Sequence, residues 1–364
     1  MKFSFKPKTI LNELKLVAGS IGSANALPIL ANFLIKLEQS KATITASDME
    51  TQMSVIVAVD IDKPGAITLP AKKFVEICNA VPADSVMTVT VKNERAILQS
   101  GRSRFALSTL PAEHFTGMDH INDALTFNLP AENLRNALER VSHAMAENDV
   151  RYYLNGMLFE IKQTGLRCVA TDGHRLAMGE IAVQINSDEV EQVVVPRKSI
   201  GLISKAISLA AEVSVSIEKS KISINTGKVC LVSQLIEGNY PHYEKVIPKT
   251  NKKLVIDRHV LIAALQRANI LTSKRFCAAR LVLVDSLLRI EVMNDQGEQS
   301  HEELTIDFKG SIELGMNVGY LIDALSGCTT REVCLALSEQ NKGVVVQNNN
   351  DDSAYRSVVM PTRL

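Results

Sequence analysis

One short segment of the chain brings an acid, a base and a cation together, at Thr171-Asp172-Gly173-His174-Arg175. An aspartate and a histidine in contact could transfer protons, which is general acid–base chemistry. No nucleophile accompanies them, and neighbouring side chains point apart unless the chain turns tightly. The sequence also contains no GxxxxGK[ST] loop, no GxGxxG fingerprint after a strand, no HExxH motif and no GxSxG elbow. A polar turn that shapes a surface is therefore favoured over a catalytic centre, and we expect no catalytic residue, metal or cofactor.

The elements that must position this segment recur three times. Short polar stops follow strand-like stretches at Ala46-Ser47-Asp48, Ala170-Thr171-Asp172 and Met293-Asn294-Asp295, with aspartates 124 and 123 residues apart. Each copy closes on an X-Pro step, at 110–111, 240–241 and 360–361. A period near 123 exceeds the roughly 20 to 50 residues of a solenoid repeat. The pattern predicts three similar domains in tandem, at 1–120, 121–247 and 248–364.

Two amphipathic helices are predicted in each domain. Leu134, Ala137, Leu138 and Val141 follow the i, i+3, i+4, i+7 rule, and so bury one stripe. The six windows are 8–18, 71–80, 131–144, 197–209, 257–271 and 317–326. Short alternating stretches with turns lie between the helices and predict antiparallel strands. Strand runs between single helices favour an α+β fold with antiparallel sheets.

The composition limits the compartment and the partners. Six cysteines are scattered without a CxxC pair, which indicates reduced thiols in a cytoplasmic protein. The apolar runs are too short for a membrane span, and the first residues lack a signal-peptide apolar region. The net charge is zero, with 40 basic and 40 acidic residues, whereas proteins that grip DNA usually carry a basic excess. The predicted helices nevertheless hold 11 Lys/Arg against 6 Asp/Glu, a mildly basic layer unless these are ordinary solvated faces.

Six segments spread along the chain are specific in sequence: LPIL at 27–30, SGRSRF at 100–105, RYYLNGMLFE at 151–160, ATDGHRLA at 170–177, VPRK at 195–198 and VVMPTRL at 358–364. Together they resemble the bacterial DNA polymerase III β subunit family, the replicative sliding clamps. The resemblance implies the DNA clamp fold, in which two chains close head to tail into a six-domain ring around duplex DNA. It implies a non-catalytic processivity factor that tethers the DNA polymerase III core, other polymerases and repair proteins, and that a clamp loader opens.

Domain size agrees with that geometry. A 120-residue domain has a radius of gyration near roughly 14 Å, and six equivalent spheres in a ring leave a hole of about 35 Å. A duplex about 20 Å across fits such a hole with a layer of water. One three-domain chain cannot enclose DNA, and two can.

The resemblance also implies residues for two binding sites. The expected DNA contacts are basic helix residues and a tyrosine pair, Lys8, Lys72, Lys73, Arg135, Arg140, Tyr152, Tyr153, Arg197, Lys198 and Lys205. The expected peptide pocket is Leu154, Thr171, Gly173, His174, Arg175, Leu176, Pro241, Val246, Asn317, Tyr320, Val358, Val359, Met360, Pro361 and Arg363. Three positions depart from the family pattern, Ala24 at the DNA site and Lys245 and Thr362 at the pocket. The residues alone leave an alternative open at each site: a partly buried aromatic pair on a strand at Tyr152 and Tyr153, and a last strand docked in the core for the apolar tail.

The expected self-interface joins the first domain of one chain to the third domain of the other. In the first domain it comprises Arg95, Arg102, Arg104, Phe105 and Leu107, on a predicted edge strand. In the third it comprises Ile270, Leu271, Glu298, Glu302 and Glu303. Opposite charges around an apolar centre would set the orientation of the two chains. Two alternatives remain open from sequence, a dimeric enzyme at Asp172 and His174, and a nucleic-acid binder that does not encircle DNA.

Overall fold

The computed structural model describes residues 1–22, 27–119, 121, 124–187, 190–249, 252–273, 277–338, 342–350 and 354–362. Six α-helices occur in this part of the chain, and each predicted window coincides with one to within a few residues. They are α1 (Pro7–Ala18), α2 (Ala71–Ala80), α3 (Ala131–Ser142), α4 (Arg197–Ala206), α5 (Arg258–Ala268) and α6 (Val318–Ser326). Short 3₁₀ turns occur at Pro28–Ala31, Ala112–His114, Tyr152–Leu154, Tyr243–Val246 and Asn269–Leu271.

The helices begin where local chemistry supports a first turn. Pro70 directly precedes α2, and its fixed φ suits the position before a helix. The Asp257 carboxylate accepts hydrogen bonds from the backbone N–H groups of His259 and Val260, at 2.9 and 3.2 Å. Asp257 therefore caps α5 from outside, although the sequence window had counted it within the helix.

The strands of the first third are β1 (Lys2–Phe5), β2 (Asn32–Glu38), β3 (Lys41–Ser47), β4 (Thr51–Ala58), β5 (Asp60–Lys63), β6 (Gly65–Pro70), β7 (Met87–Lys92), β8 (Arg95–Ser100) and β9 (Ser103–Ser108). Those of the middle third are β10 (Leu125–Pro130), β11 (Gly156–Lys162), β12 (Gly165–Thr171), β13 (Arg175–Ala182), β14 (Glu191–Pro196), β15 (Glu212–Ile217), β16 (Lys221–Asn225) and β17 (Val229–Gln234). Those of the last third are β18 (Lys252–Asp257), β19 (Ala278–Val284), β20 (Leu287–Met293), β21 (Gln299–Thr305), β22 (Ser311–Asn317), β23 (Glu332–Leu337), β24 (Val344–Asn348) and β25 (Tyr355–Val359).

The first of two compact units comprises Met1–Glu132 and Lys198–Leu235. It holds a five-stranded sheet in the order β5-β1-β7-β8-β9 and an eight-stranded sheet in the order β10-β15-β16-β17-β4-β3-β2-β6. In the larger sheet β4 pairs antiparallel with β17, so strands from the first and middle thirds share one sheet. Helix α1 buries Ile10, Leu14 and Val17 almost completely, as its apolar spacing predicts.

The second unit comprises Asn133–Arg197 and Ile236–Leu364. Its eight-stranded sheet has the order β14-β11-β12-β13-β25-β24-β23-β18, and its four-stranded sheet has the order β21-β20-β19-β22. Here β13 pairs antiparallel with β25, which joins strands of the middle and last thirds. Gly179 on β13 allows α3 to lie close, because a Cβ there would approach Val141 to 3.3 Å.

The three polar stops are related turns, of which two are alike and the third is longer. The Asp48 carboxylate accepts from two backbone N–H groups between β3 and β4, and Asp172 does so between β12 and β13. In the third copy the acceptor is the Asn294 side chain, between β20 and β21. The prediction that Asp295 is equivalent to Asp48 and Asp172 was therefore wrong by one residue. The turn between β20 and β21 is one residue longer than the turn between β3 and β4. Side chains of this length fold back on their own backbone and terminate strands.

All six cysteines are free thiols, and burial raises the pKa of Cys78 and Cys328 to about 12. In the part of the chain that the structure describes, no helix is long and apolar enough to cross a membrane.

Candidate functional site: a groove on the second unit

The Thr171–Arg175 segment is a tight turn whose aspartate is fully used in holding its shape. Asp172 Oδ1 accepts from the backbone N–H groups of His174 and Arg175, at 2.9 and 3.0 Å. Asp172 Oδ2 accepts from Arg175 Nε at 3.1 Å. Gly173 has a φ of +90°, which only glycine adopts without strain. The carboxylate therefore builds the turn and is not directed at the His174 imidazole.

Arg175 contacts two residues of α6 beside the turn. Its Nη1 donates to Asp323 Oδ2 at 2.6 Å, and its guanidinium lies 4.1 Å from the centre of the Tyr320 ring. Asn317 caps α6 by accepting from the backbone N–H of Tyr320 at 3.1 Å. The Asn317 cap fixes the first turn of α6, and the Asp172 and Asp323 carboxylates hold the Arg175 guanidinium. Arg175 and Tyr320 are thereby held in one relative orientation.

An apolar cluster lies beside this turn, where β13 pairs with β25. Leu176 on β13 stands opposite Val358 on β25, and both are almost completely buried. They belong to a cluster of buried side chains, Leu158, Val169, Leu176, Met178, Val194, Tyr243, Ala336, Val345 and Val358. Half-buried residues pack on this cluster from outside, Ile236, Tyr240, Ile247 and Met360. We call the surface formed by Leu176, Val358, Tyr240, Ile247 and Met360 the apolar groove.

The last described strand, β25, ends in buried residues, whereas the two residues that follow it are half-exposed. Val358 and Val359 are buried, whereas Met360 and Pro361 are half-exposed. The backbone N–H of Met360 donates to the His174 carbonyl at 2.9 Å, which ties the tail to the turn. The hydroxyl of Thr171 donates to the Arg175 carbonyl at 2.7 Å and closes the turn from within.

The remaining predicted pocket residues fall into three groups. Leu154 is buried beneath the surface, and Pro241 and Val246 are exposed on the segment that leads to the last third. Arg363 and Ala24 lie outside the described residues. Sequence reasoning missed Tyr240 and Ile247 as groove residues, although Tyr240 precedes the proline that marked the X-Pro step.

A buried charge network fastens that segment. Glu160, only 4% exposed, accepts from the Tyr243 hydroxyl at 3.1 Å and pairs with Lys162 and Arg167. Burial acts to raise the pKa of Glu160, but hydrogen bonds from Lys162 and Gln192 outweigh it and the pKa lies below the ordinary value. Burial raises the pKa of Tyr243 to about 12. The 3₁₀ turn at Tyr243–Val246 is thereby held beside β11 and β12.

A polar cavity of about 390 Å³ borders the other side of the turn. It is lined by His143, Met145, Ala146, Glu147, Asn148, Asp149, Asp172, His174, Arg175 and Arg197. Burial, with the nearby Arg175 charge, lowers the pKa of His143 to about 4. Cations and carboxylates both line this cavity, so it is not a simple anion site.

The predicted DNA residues differ in how free their side chains are. Tyr152 is 57% exposed and meets the half-buried Tyr153 edge to face at 5.7 Å. Exposed cations that form no ion pair with any described residue are Lys72, Lys73 and Lys205. Those with a protein partner or partial burial are Lys8 (with Asp84), Lys198 (with Asp48), Arg197 (with the Met145 carbonyl), Arg135 and Arg140. These five side chains are therefore less free to reach a phosphate than those of Lys72, Lys73 and Lys205.

Several of the predicted self-interface residues lie on strands at the edges of sheets. Strand β9 ends the five-stranded sheet and carries exposed Arg104, half-buried Phe105 and buried Leu107, with Arg102 and Arg95 exposed nearby. Strand β21 ends the four-stranded sheet. Ile270 is 76% exposed and Leu271 is half-buried. Within its own chain, Glu302 pairs with Arg267 and Glu303 with Arg289, whereas Glu298 accepts from the Asn294 amide.

Three family models match consecutive parts of the chain. They are the N-terminal, central and C-terminal domains of the DNA polymerase III beta subunit, at 1–119, 128–242 and 244–363. The beta sliding clamps of Pseudomonas putida and Escherichia coli K12 are 39% and 36% identical to it, with 100% of both chains covered.

Solved structures agree with the sequence matches. The DNA polymerase III subunit beta of Pseudomonas aeruginosa is similar with a TM-score of 0.94 at 38% identity. A sliding clamp from Bartonella birtlesii, bound to griselimycin, is similar with a TM-score of 0.95 at 28% identity. Each comparison covers 100% of both chains.

Matches over the full length carry function as well as fold. This family is a non-catalytic processivity factor, and its partners are DNA and a DNA polymerase. The enzyme alternative at Asp172 and His174 is not supported, in keeping with a carboxylate used for turn structure. The chain belongs to the DNA polymerase III beta subunit family, the replicative sliding clamps of bacteria.

Proposed function

We propose that two copies of this chain close head to tail into a ring of six domains, with boundaries at 1–120, 121–247 and 248–364. The observation that carries the proposal is a strand joint that occurs twice. In the first unit β4, which follows the Asp48 turn, pairs with β17, and Thr51 stands opposite Ser233. In the second unit β13, which follows the Asp172 turn, pairs with β25, and Arg175 stands opposite Val359. Thr51 and Arg175 both stand three residues after the turn aspartate, so the joints share one register.

A third joint needs a second chain. Strand β21 follows the Asn294 turn as β4 and β13 follow theirs, and its one neighbour among the described strands is β20. Strand β9 is the last strand of the first repeat, as β17 and β25 are of the second and third. Among the described strands, β9 pairs only with β8. Pairing of β9 with β21 of another copy would cover both open edges, and a heterologous contact of this kind closes into a two-chain ring when it rotates one copy by half a turn relative to the other.

The apolar and charged residues around these edges fit that contact. The exposed side chain of Ile270 would find cover against Phe105 and Leu107. Arg102 and Arg104 would face Glu298, Glu302 and Glu303, and would orient the two chains. Because two of these glutamates already form ion pairs in their own chain, the charges contribute more to orientation than to affinity.

Duplex DNA is held inside the ring by topology, so strong phosphate contacts are unnecessary. Lys72, Lys73 and Lys205 provide weak, sequence-independent attraction to phosphates, and the paired cations add to it where their partners release them. Tyr152 offers an exposed ring on which an unstacked base could lie. Zero net charge suits a protein that must slide.

The apolar groove receives a short peptide with glutamine and apolar residues from each partner. Leu176, Val358 and Met360 bury the apolar side chains, while His174, Arg175 and Tyr320 orient the peptide backbone or its glutamine. Partners of this kind are the DNA polymerase III core, the clamp loader, other polymerases and repair proteins, in the cytoplasm. The clamp loader would open the ring.

Electron microscopy of the negatively stained protein tests ring formation directly. We expect a six-lobed annulus with a hole of about 35 Å, from the size of six domains. Retention on DNA tests encirclement: the loaded protein should stay on circular DNA and slide off linear DNA. Equal retention on both would instead support a nucleic-acid binder that does not encircle its substrate.

A further inference from the structure

Arg151 connects two segments to which separate tasks are proposed. It directly precedes Tyr152 and Tyr153, and its Nε and Nη2 donate to the Asp149 carboxylate at 3.0 and 2.8 Å. Its Nη2 also donates to the backbone carbonyl of Asp172, at 3.2 Å. One guanidinium therefore touches both the tyrosine loop and the turn that forms the groove wall.

The contact with the turn is close as well as hydrogen-bonded. A Cβ atom at Gly173 would lie 3.1 and 3.2 Å from the two terminal nitrogens of Arg151. The guanidinium thus lies against the backbone of a glycine that already requires the left-handed region. From this turn the network continues through Asp172 to Arg175, and from Arg175 to Asp323 and the Tyr320 ring.

The turn has space to move on one side. The polar cavity of about 390 Å³ borders Asp149, Asp172 and Arg175, so side chains do not fill that side of the network. The side chain of Arg151 is 47% exposed, and a phosphate could therefore reach it. Guanidinium groups bind phosphate in two-point geometry, so a DNA phosphate can compete with Asp149 and with the Asp172 carbonyl.

We infer that Arg151 is a positioning residue that couples duplex DNA at the Tyr152–Tyr153 loop to peptide binding in the apolar groove. The inference rests on the proposed function of both segments. When DNA draws Arg151 away, the Asp172–Gly173 backbone loses its outside support, and the wall formed by His174 and Arg175 becomes less ordered. DNA therefore weakens peptide binding, and a bound peptide weakens DNA binding by the same factor, because coupling between two equilibria is reciprocal.

The test measures peptide affinity with and without DNA. A fluorescein-labelled peptide that carries one glutamine followed by apolar residues is titrated with the full-length protein, and its anisotropy gives Kd. A blunt duplex at saturating concentration is then added at constant low salt, because phosphate contacts depend on salt. We expect the duplex to raise the peptide Kd of the wild-type protein by about fivefold or more, the lower end of typical coupling factors.

Two variants separate positioning from general stability. Arg151→Ala should raise the peptide Kd without DNA to the value of the DNA-bound wild-type protein, and the duplex should then change it no further. Arg280→Ala is the matched control, because the Arg280 side chain is 47% exposed, as that of Arg151 is. Its guanidinium is likewise held by two residues, through the carboxylates of Glu291 and Glu313. This control should keep the full response to DNA.

Each result decides the question. A wild-type Kd that does not respond to DNA overturns the coupling, and so does an Arg151→Ala protein that keeps the full response. A structural role alone would raise the Kd of that variant and leave its response to DNA intact. If the wild-type protein binds neither the peptide nor the duplex, the proposed function itself fails.

Discussion

Replacing Ile270 by alanine should open the ring without unfolding the chain. Ile270 is 76% exposed in the single chain, so its truncation removes almost no contact within the fold. The substitution deletes three carbon atoms, worth about 0.8 kcal/mol each when buried, and scaling by the exposed fraction gives about 2 kcal/mol per joint. A head-to-tail dimer contains two identical joints, so the loss doubles to about 4 kcal/mol, a rise of several hundred-fold in the dimer dissociation constant.

Sedimentation equilibrium over a dilution series measures that constant. Val260→Ala is the matched control, because Val260 is another exposed apolar residue of the same third of the chain, 49% exposed on α5. The control should dimerise like the wild-type protein, and both variants should keep the melting temperature of the wild-type monomer at dilutions where no dimer is present. If Ile270→Ala, even combined with Leu271→Ala, dimerises with the wild-type constant, the proposed joint between β9 and β21 is refuted.

Three further predictions concern stability and the groove. Gly327→Ala should destabilise the fold by about 1–3 kcal/mol, because its Cβ would lie 2.2 Å from the buried Tyr355 ring. Gly201→Ala in α4 should stabilise the fold by up to about 1 kcal/mol, because a Cβ there would meet no atom within 4 Å. Urea unfolding measures both changes in the free energy of unfolding. Folding lowers the pKa of His143 from 6.5 to about 4, so the unfolded chain binds this proton at a higher pH than the folded protein does. The free energy of unfolding therefore falls as the pH drops from 6.5 to 4. His143→Gln should lose less free energy of unfolding between pH 7 and pH 5, and an equal loss would contradict this. Val246→Asp, at a position 51% exposed, should weaken peptide binding in the anisotropy assay and leave the melting temperature unchanged.

Local chemistry made much of the fold predictable. The proline before α2 and the turn aspartates Asp48 and Asp172 act on backbone atoms within a few residues of themselves. Such interactions depend on sequence over short distances, so their positions can be derived without knowing the fold. The error at Asp295 arose because a turn can gain one residue without losing its function.

The groove required tertiary structure. The Ser357 hydroxyl donates to the Leu176 carbonyl across 181 residues of chain, and Arg175 meets Asp323 across 148. Periodicity does not reveal which strands or side chains will meet over such distances, because many pairings bury similar apolar area. Tyr240 and Ile247 were missed for the same reason.

The sequence by itself determined the threefold repeat, the six helices and, through extended motifs, the family. The helices follow from apolar residues at fixed spacing within a few turns. The repeat and the family follow from short motifs, each of which can be read without knowing the fold. The tertiary structure decided which cations are paired, which side chains form the groove, and that Arg151 touches both the tyrosine loop and the groove wall. Those facts depend on contacts between distant segments, and distant contacts exist only once the sheets have formed.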